Sequence, residues 1–442
     1  VCLNPSSNSA NEFHAFSKRL QRTTSVMAEF LGWLRAGVIF GAAVLFTSRL
    51  VVDAKHKDCG TAKERIAAVD NMKALLMFMV IFMQLLGQNT MWRELPLGPG
   101  VHCFLNSFPV RAFAFISGMH TGGAKPAEPK NIFTRLVLPL FLFAVALGPL
   151  TSILADVVAP PHQLLSAGSQ FDRMERFLFH ARGPVWYLVA LIAWKIWGAL
   201  LHETTPVVQM GIACLMSFLA GHAGKLGGGT DVWNRAFDVF PVFIAGRHLP
   251  VRAALDLQPS FAQRALAIPL LMALFSLEQA ASTADIMEHA PNYVWGAPSD
   301  GYGAALLCAL NLFRDALEVN RALLFLLFVC PKGSGMLSEF GKHSLAALLV
   351  HMPFMPGLYK IYARMCLRLE DGGYEVLGHE LGPRAGGLAA WMCCVVVVAP
   401  FFALCSSQLC QRLTAPFLEP VWLERLLEVP ATACKKDAAV VG

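Results

Sequence analysis

Apolar runs recur from residue 36 to residue 405 of this 442-residue chain, and no polar block between them is large enough to fold separately. Hydrocarbon offers the backbone no hydrogen-bond partners, so segments of this kind must satisfy their own N–H and C=O groups. The chain is therefore expected to be all-α, a polytopic transmembrane helical bundle of about ten or eleven spans. Composition agrees, with 55% hydrophobic and 15% charged residues and a mean hydropathy of +0.51, against about 25% charged residues in an ordinary soluble domain. The net charge of +6 sits at the ends of apolar runs. That distribution suits loops that set topology and speaks against a nucleic-acid surface. The expected partner is the lipid bilayer, and the expected state is integral and multi-pass.

Four regions follow. Residues 1–35 form a polar N-terminal tail, 36–65 a first hydrophobic segment with a basic linker, 66–410 the membrane domain and 411–442 a C-terminal tail. The segment 36–52 contains Arg49 and reads as a signal anchor, an extra span or an interfacial helix. Clearer spans lie near 72–92, 101–120, 134–155, 184–202, 206–222, 236–249, 262–282, 303–313, 321–330, 343–363 and 387–406, with larger loops at 156–183 and 364–386. The 236–249 segment carries Pro241 and Gly246 and reads as kinked or half-length. Residues 303–330 are either two crossings around a charged turn or one long helix with a polar stripe, and Arg314, Asp315, Glu318 and Arg321 are most simply a solvated turn. Lys63, Arg65 and Lys73 precede one span, and Lys125, Lys130 and Arg135 follow the next, so the positive-inside rule puts both basic regions on the cytoplasmic side.

Of the twelve cysteines, Cys308, Cys330, Cys393 and Cys394 fall in apolar runs, where a thiol behaves as a small hydrophobe. No Cys/His spacing suggests zinc, and no metal is expected.

The stretch "NMKALLMFMVIFMQLLGQNTMW", residues 71–92, keeps Lys73, Gln84 and Gln88 inside or beside an apolar helix. At 100° per residue Lys73 and Gln84 differ by about 20° in azimuth and about 16 Å along the axis, so they share a face. Asp70 can pair with Lys73 one turn away, and Gln88 is expected to extend the stripe. Such a stripe either joins neighbouring helices through hydrogen bonds or lines a wet cavity. Arg111, in the middle of "FPVRAFAFISG", needs a partner or an aqueous cavity, and an acid such as Asp238 or Glu318 would serve. Trp186 and Phe240 read as packing residues.

Taken in order, "FPVRAFAFISGMH" with Ser117 and Gly118, "RLVLPLF" with Arg135, "GPVWYLVAL", "FPVFIAGRHL" and "FGKHSLAALLVHMPF" with Gly341, Ser344 and His351 complete a pattern opened by Asp70 and Lys73. Over roughly residues 66–410 the chain resembles the membrane acyltransferase type 3 family. The resemblance implies a polytopic O-acyltransferase that moves an acetyl or related acyl group from an acyl-CoA donor to a hydroxyl-bearing acceptor, a glycan or a lipid.

Two positions depart from the family pattern: Arg111 stands near a place where members often have an acidic or polar residue, and the other departure bears on the chemistry. The family places a His eleven residues after the basic residue, and this chain has Gln84 there. Imidazole titrates near neutral pH and can serve as general base. A Gln amide takes no proton and can only orient a hydroxyl or donate to a carbonyl oxygen. Either another residue is the base, or the site binds without turnover as a transporter, exporter or pseudoenzyme would, or the chemistry has been replaced. His351 reads either as a structural histidine bonded to a neighbouring helix or as the leading replacement base, and in the second case the catalytic positions are His351, Gln84 and Ser117. The resemblance assigns donor binding to Asp70, Lys73, Lys130 and Arg135, whose charges suit the phosphates of an acyl-CoA. His120 reads as an interfacial histidine and His102 as a loop residue.

Overall fold

The computed structural model describes residues 67–93, 95–121, 132–143, 185–226, 232–249, 259–283, 304–369 and 372–418, with Gly41 besides. The tail 1–35, nearly all of 36–65, Lys130, the loop 156–183 and the chain beyond residue 418 lie outside the described residues. The described chain is predominantly helical, as expected.

The first helix, α1 (Ala67–Gly87), ends in a 3-10 turn, Gln88–Arg93. It is followed by α2 (Gly98–Thr121), a π-helical turn at Phe133–Val137 leading into α3 (Leu138–Leu142), and α4 (Val185–Leu200). Next come α5 (Pro206–Leu226), α6 (Val232–His248) and α7 (Phe261–Thr283). Helix α8 (Ala304–Leu324) runs into a second π turn, Phe325–Val329. Two short helices, α9 (Met336–Lys342) and α10 (Ser344–Val350), precede a 3-10 turn at Met352–Phe354 and α11 (Met355–Met365). The chain closes with α12 (Pro383–Cys405) and α13 (Gln408–Leu418), the latter continuing across the expected boundary at residue 410.

One open alternative is decided and two expectations need correction. The 303–330 stretch is one continuous helix through Leu324, with no turn at the charged residues. The 343–363 span is broken at His351–Pro353, where proline lacks the N–H that would continue the helical ladder. The 364–386 loop is a small antiparallel sheet of β1 (Cys366–Arg368), β2 (Tyr374–Val376) and β3 (His379–Leu381). It is ordered β1-β2-β3, with Cys366 opposite Val376 and Val376 opposite His379. The two-residue link between β2 and β3 places Leu377 at φ 52° and Gly378 at φ 82°, the left-handed pair that matches the twist of a tight hairpin.

Helix α1 is the central element. Met72, Leu76, Met77, Ile81, Leu85 and Leu86 are fully buried, and α2, α9, α10, α11 and α12 all pack on it. Helix α6 is a second centre, flanked by α2, α4, α5 and α8. Among the described residues two helices, α1 and α12, are long and apolar enough to cross a membrane. The outward face of α12 carries Leu388, Met392 and Val396 at helical spacing, and α7 similarly exposes Leu266, Ile268 and Met272.

Glycine sets the closest approaches. A Cβ on Gly118 of α2 would overlap the Phe243 carbonyl oxygen of α6, and one on Gly246 of α6 would overlap that of Phe115 on α2. The two helices therefore meet backbone to backbone at reciprocal glycines. Gly341 of α9 lies in the same way against the Asp70 carbonyl of α1. Gly211 on α5 has open space instead. Gly246→Ala is expected to lower stability by about 1–3 kcal/mol through overpacking. Gly211→Ala should be neutral or raise it by about 0.5–1 kcal/mol through chain entropy and helix propensity. Thermal unfolding of the two variants in detergent checks the contrast.

Candidate functional site

Asp70 and Lys73 stand one turn apart at the start of α1 and form an ion pair at 3.5 Å. Asp70 is buried and Lys73 half-buried. Beside them Asn71, which the sequence reading passed over, gives Nδ2 hydrogens to the carbonyls of Pro331 at 2.6 Å and Gly333 at 3.0 Å. Those carbonyls leave the second π turn on the way to α9, so the amide fixes where α1 enters the bundle. Gln84 is half-buried on α1. The chain tightens to 3-10 geometry at Gln88, whose Nε2 donates to the Gln84 carbonyl one turn back at 3.4 Å.

Ser117 Oγ lies 2.9 Å from the hydroxyl of Tyr187 on α4. Tyr187 belongs to the "GPVWYLVAL" block, where attention fell on Trp186. Trp186 lies under the Arg235 guanidinium at 5.6 Å, and Phe240 is fully buried against Trp197 with ring centroids 5.2 Å apart, so both pack as expected. His120 is exposed at the end of α2. Arg135 is exposed on the first π turn, which packs on α4, and its charge acts on Lys195 of that helix.

His351 caps the C-terminal end of α10 and is fully buried. Its Nδ1 lies 2.9 Å from the Ala347 carbonyl oxygen. A carbonyl can only accept, so Nδ1 carries the proton and Nε2 presents a lone pair. Nε2 has no hydrogen-bond partner among the described residues. This is the tautomer that a general base requires. His351, Gln84 and Ser117 stand on α10, α1 and α2, and both α10 and α2 pack on α1. Among the described residues no hydrogen bond joins the three.

The larger departure from expectation is a chain of buried charges. Arg314, Asp315, Glu318 and Arg321 are not a solvated turn: all are buried, Arg321 completely. Spacings of four and three residues put Arg314, Glu318 and Arg321 on one face of α8. That face meets Arg111 of α2 and Asp238 of α6. Arg111 Nη2 donates to Asp238 Oδ2 at 2.9 Å, and its Nη1 lies 3.7 Å from Glu318 Oε1. Both acids weighed as its partner are thus engaged. Arg314 donates to the other Asp238 oxygen and approaches Asp315 Oδ1 at 3.7 Å. Arg321 donates to Glu318 at 3.0 Å and to the Leu274 carbonyl of α7 at 2.6 Å, with its guanidinium 4.5 Å from the Phe275 ring centre.

The order is Asp315, Arg314, Asp238, Arg111, Glu318, Arg321: six alternating charges summing to zero across α2, α6 and α8, with the last Arg reaching α7. Neutrality and alternation allow six ionisable groups to share an interior where any one alone would be costly. The signal readable in sequence was the heptad-like spacing on 314–321 together with an unexplained Arg111; what it lacked was the pairing of distant helices.

Among the described residues no group of three or more His, Cys, Asp or Glu side chains is arranged to hold a metal ion. No family model, curated protein or solved structure matches this chain.

Removing Asp238 leaves Arg111 and Arg314 without their shared carboxylate. Asp238→Ala is expected to cost about 3–5 kcal/mol of stability, whereas Lys73→Ala, at the partly exposed pair, should cost about 1 kcal/mol or less. Equilibrium unfolding in mixed micelles compares the two.

Proposed function

We propose that the protein is a multi-pass integral membrane O-acyltransferase of the acyltransferase type 3 kind, carrying an acyl group from acyl-CoA to a hydroxyl of a glycan or lipid. The observation that carries this reading is the mutual contact of the sequence blocks behind the resemblance. Gly341 of "FGKHS" lies on the Asp70 backbone, Gly118 of "FISGMH" on Phe243 of "FPVFIAGRHL", and Ser117 on Tyr187 of "GPVWYL". These contacts join the blocks in two groups, Asp70 with Gly341 and Ser117–Gly118 with Tyr187 and Phe243, and that grouping supports the reading. The apolar outward faces of α7 and α12 support a hydrocarbon surround.

In this reading His351 Nε2 takes the proton of the acceptor hydroxyl as its oxygen attacks the thioester carbonyl carbon. The C–S bond then breaks, and the departing thiolate receives the proton from the imidazolium. The Gln84 amide donates a hydrogen bond to the acyl oxygen or orients the acceptor, and Ser117 supports the same end of α2. Asp70 orders Lys73, and Lys73, Lys130 and Arg135 hold the donor phosphates. Transfer is direct, with no acyl-enzyme.

A second reading, a non-catalytic family member that binds or exports a polar solute, draws support from the buried charge chain, since ionisable residues inside membrane helices commonly mark solute or proton paths. Labelled acetyl-CoA incubated with the purified protein and a panel of sugar and lipid acceptors separates the two. Turnover that falls about 10²–10⁴-fold in His351→Ala, the range of general-base contributions, together with a gain in Gln84→His, supports transfer. Donor binding without turnover, unchanged in Gln84→His, supports the second reading.

A further inference from the structure

Helix α13 follows α12 after Ser406 and Ser407, and the second serine fixes the junction. Ser407 Oγ donates to the Leu404 carbonyl in the last turn of α12 at 2.7 Å and accepts the Cys410 N–H in the first turn of α13 at 3.2 Å. One hydroxyl thus serves the C-terminal end of one helix and caps the N-terminus of the next. The junction lies on the side of the bundle where α1 begins. Phe402, near the end of α12, meets Phe78 of α1 and Phe340 of α9 with ring centres 5.8 and 5.6 Å apart. Trp391, in the first half of α12, stacks on Phe82 and donates to the carbonyl of Pro96, beyond the end of α1.

The surroundings of α13 fall into three sectors. Thr414 and Leu418 are buried, and the helix packs on α3, α10 and α12. At about 100° per residue, Leu409, Leu413 and Pro416 share an arc about 60° wide, centred about 150° from the buried pair. All three are exposed, the leucines to 60% and 68%. Gln408 and Arg412, also exposed, occupy the adjoining arc, and α13 holds no acidic residue.

A helix packed on protein and bathed in water needs two sectors, apolar inward and polar outward. A third, exposed leucines beside an exposed cation, is the pattern of a helix at the hydrocarbon boundary. Leu404, exposed in the last turn of α12, carries the apolar surface of that helix up to the junction. A second copy is a poor occupant, because two leucines and a proline on an 11-residue helix fall well short of the roughly 800 Å² per partner of a stable interface.

We propose that, with α12 as a membrane span, α13 lies in the plane of the leaflet at the end of that span and binds its phospholipids. Leu409 and Leu413 enter the acyl-chain region, and Arg412 donates to a phosphate oxygen of a headgroup. This holds whether or not the protein transfers acyl groups.

Photo-crosslinking of the full chain in nanodiscs of phosphatidylcholine and phosphatidylglycerol tests it, with benzoylphenylalanine placed in turn at Leu409, Leu413 and, on the exposed face of α12, Val396. Mass spectrometry identifies what each position captures. The expected result is a phospholipid adduct at all three positions, with the yield at Leu413 falling several-fold in Arg412→Glu and kept in Arg412→Lys. Lipid captured at Val396 but not at Leu409 and Leu413, or capture there of a second copy or of residues 419–442, overturns the placement of α13 while leaving α12 in the membrane. Absence of lipid at Val396 as well overturns the membrane reading and the placement with it. An unchanged yield in Arg412→Glu overturns the phosphate contact.

Discussion

Three guanidinium groups and three carboxylates can share a dry interior only if each charge faces its opposite, and that requirement fixes the geometry of half the bundle. Asp238 must reach both Arg111 and Arg314, which sets α6 between α2 and α8. Glu318 must reach Arg111 and Arg321, which sets the rotation of α8 about its axis. Apolar packing alone would leave both freedoms loosely specified, because aliphatic side chains repack at modest cost. Charges do not, since a displaced partner strands an ion.

A second device is contact without side chains. Reciprocal glycines let α2 and α6 touch at Phe115 and Phe243, and Gly341 brings α9 onto α1 at Asp70. Small residues are the means by which membrane helices approach closely when burying apolar surface gives little drive. The Arg111–Asp238 pair and the Gly118–Gly246 contact lie on the same two helices, so α2 and α6 are held by both devices.

Much of this was legible in the chain. Apolar runs located most helices within a few residues, the Asp70–Lys73 spacing foretold their ion pair, and an Arg in mid-helix demanded an acid that proved to be both of those considered. The failures have physical causes. A window of hydropathy reads Arg314 to Arg321 as a polar interruption, because it cannot see that the partners supplying neutrality lie on other helices. The hairpin of residues 366–381 is built from strands of three residues, too short for an alternation pattern to register. Tyr187 and Asn71 carry ordinary side chains in apolar or unremarked surroundings, and only their partners give them roles.

Asn71 has a mechanical meaning. Its amide grips the backbone at Pro331 and Gly333 with both hydrogens, and that backbone is the continuation of α8 beyond its π turn. The start of α1, where Asp70 and Lys73 stand, is therefore tethered to the helix that carries most of the buried charge. The polar start of α1 and the ionic interior are thus joined through one short segment, gripped by the Asn71 amide and pressed on Asp70 by Gly341.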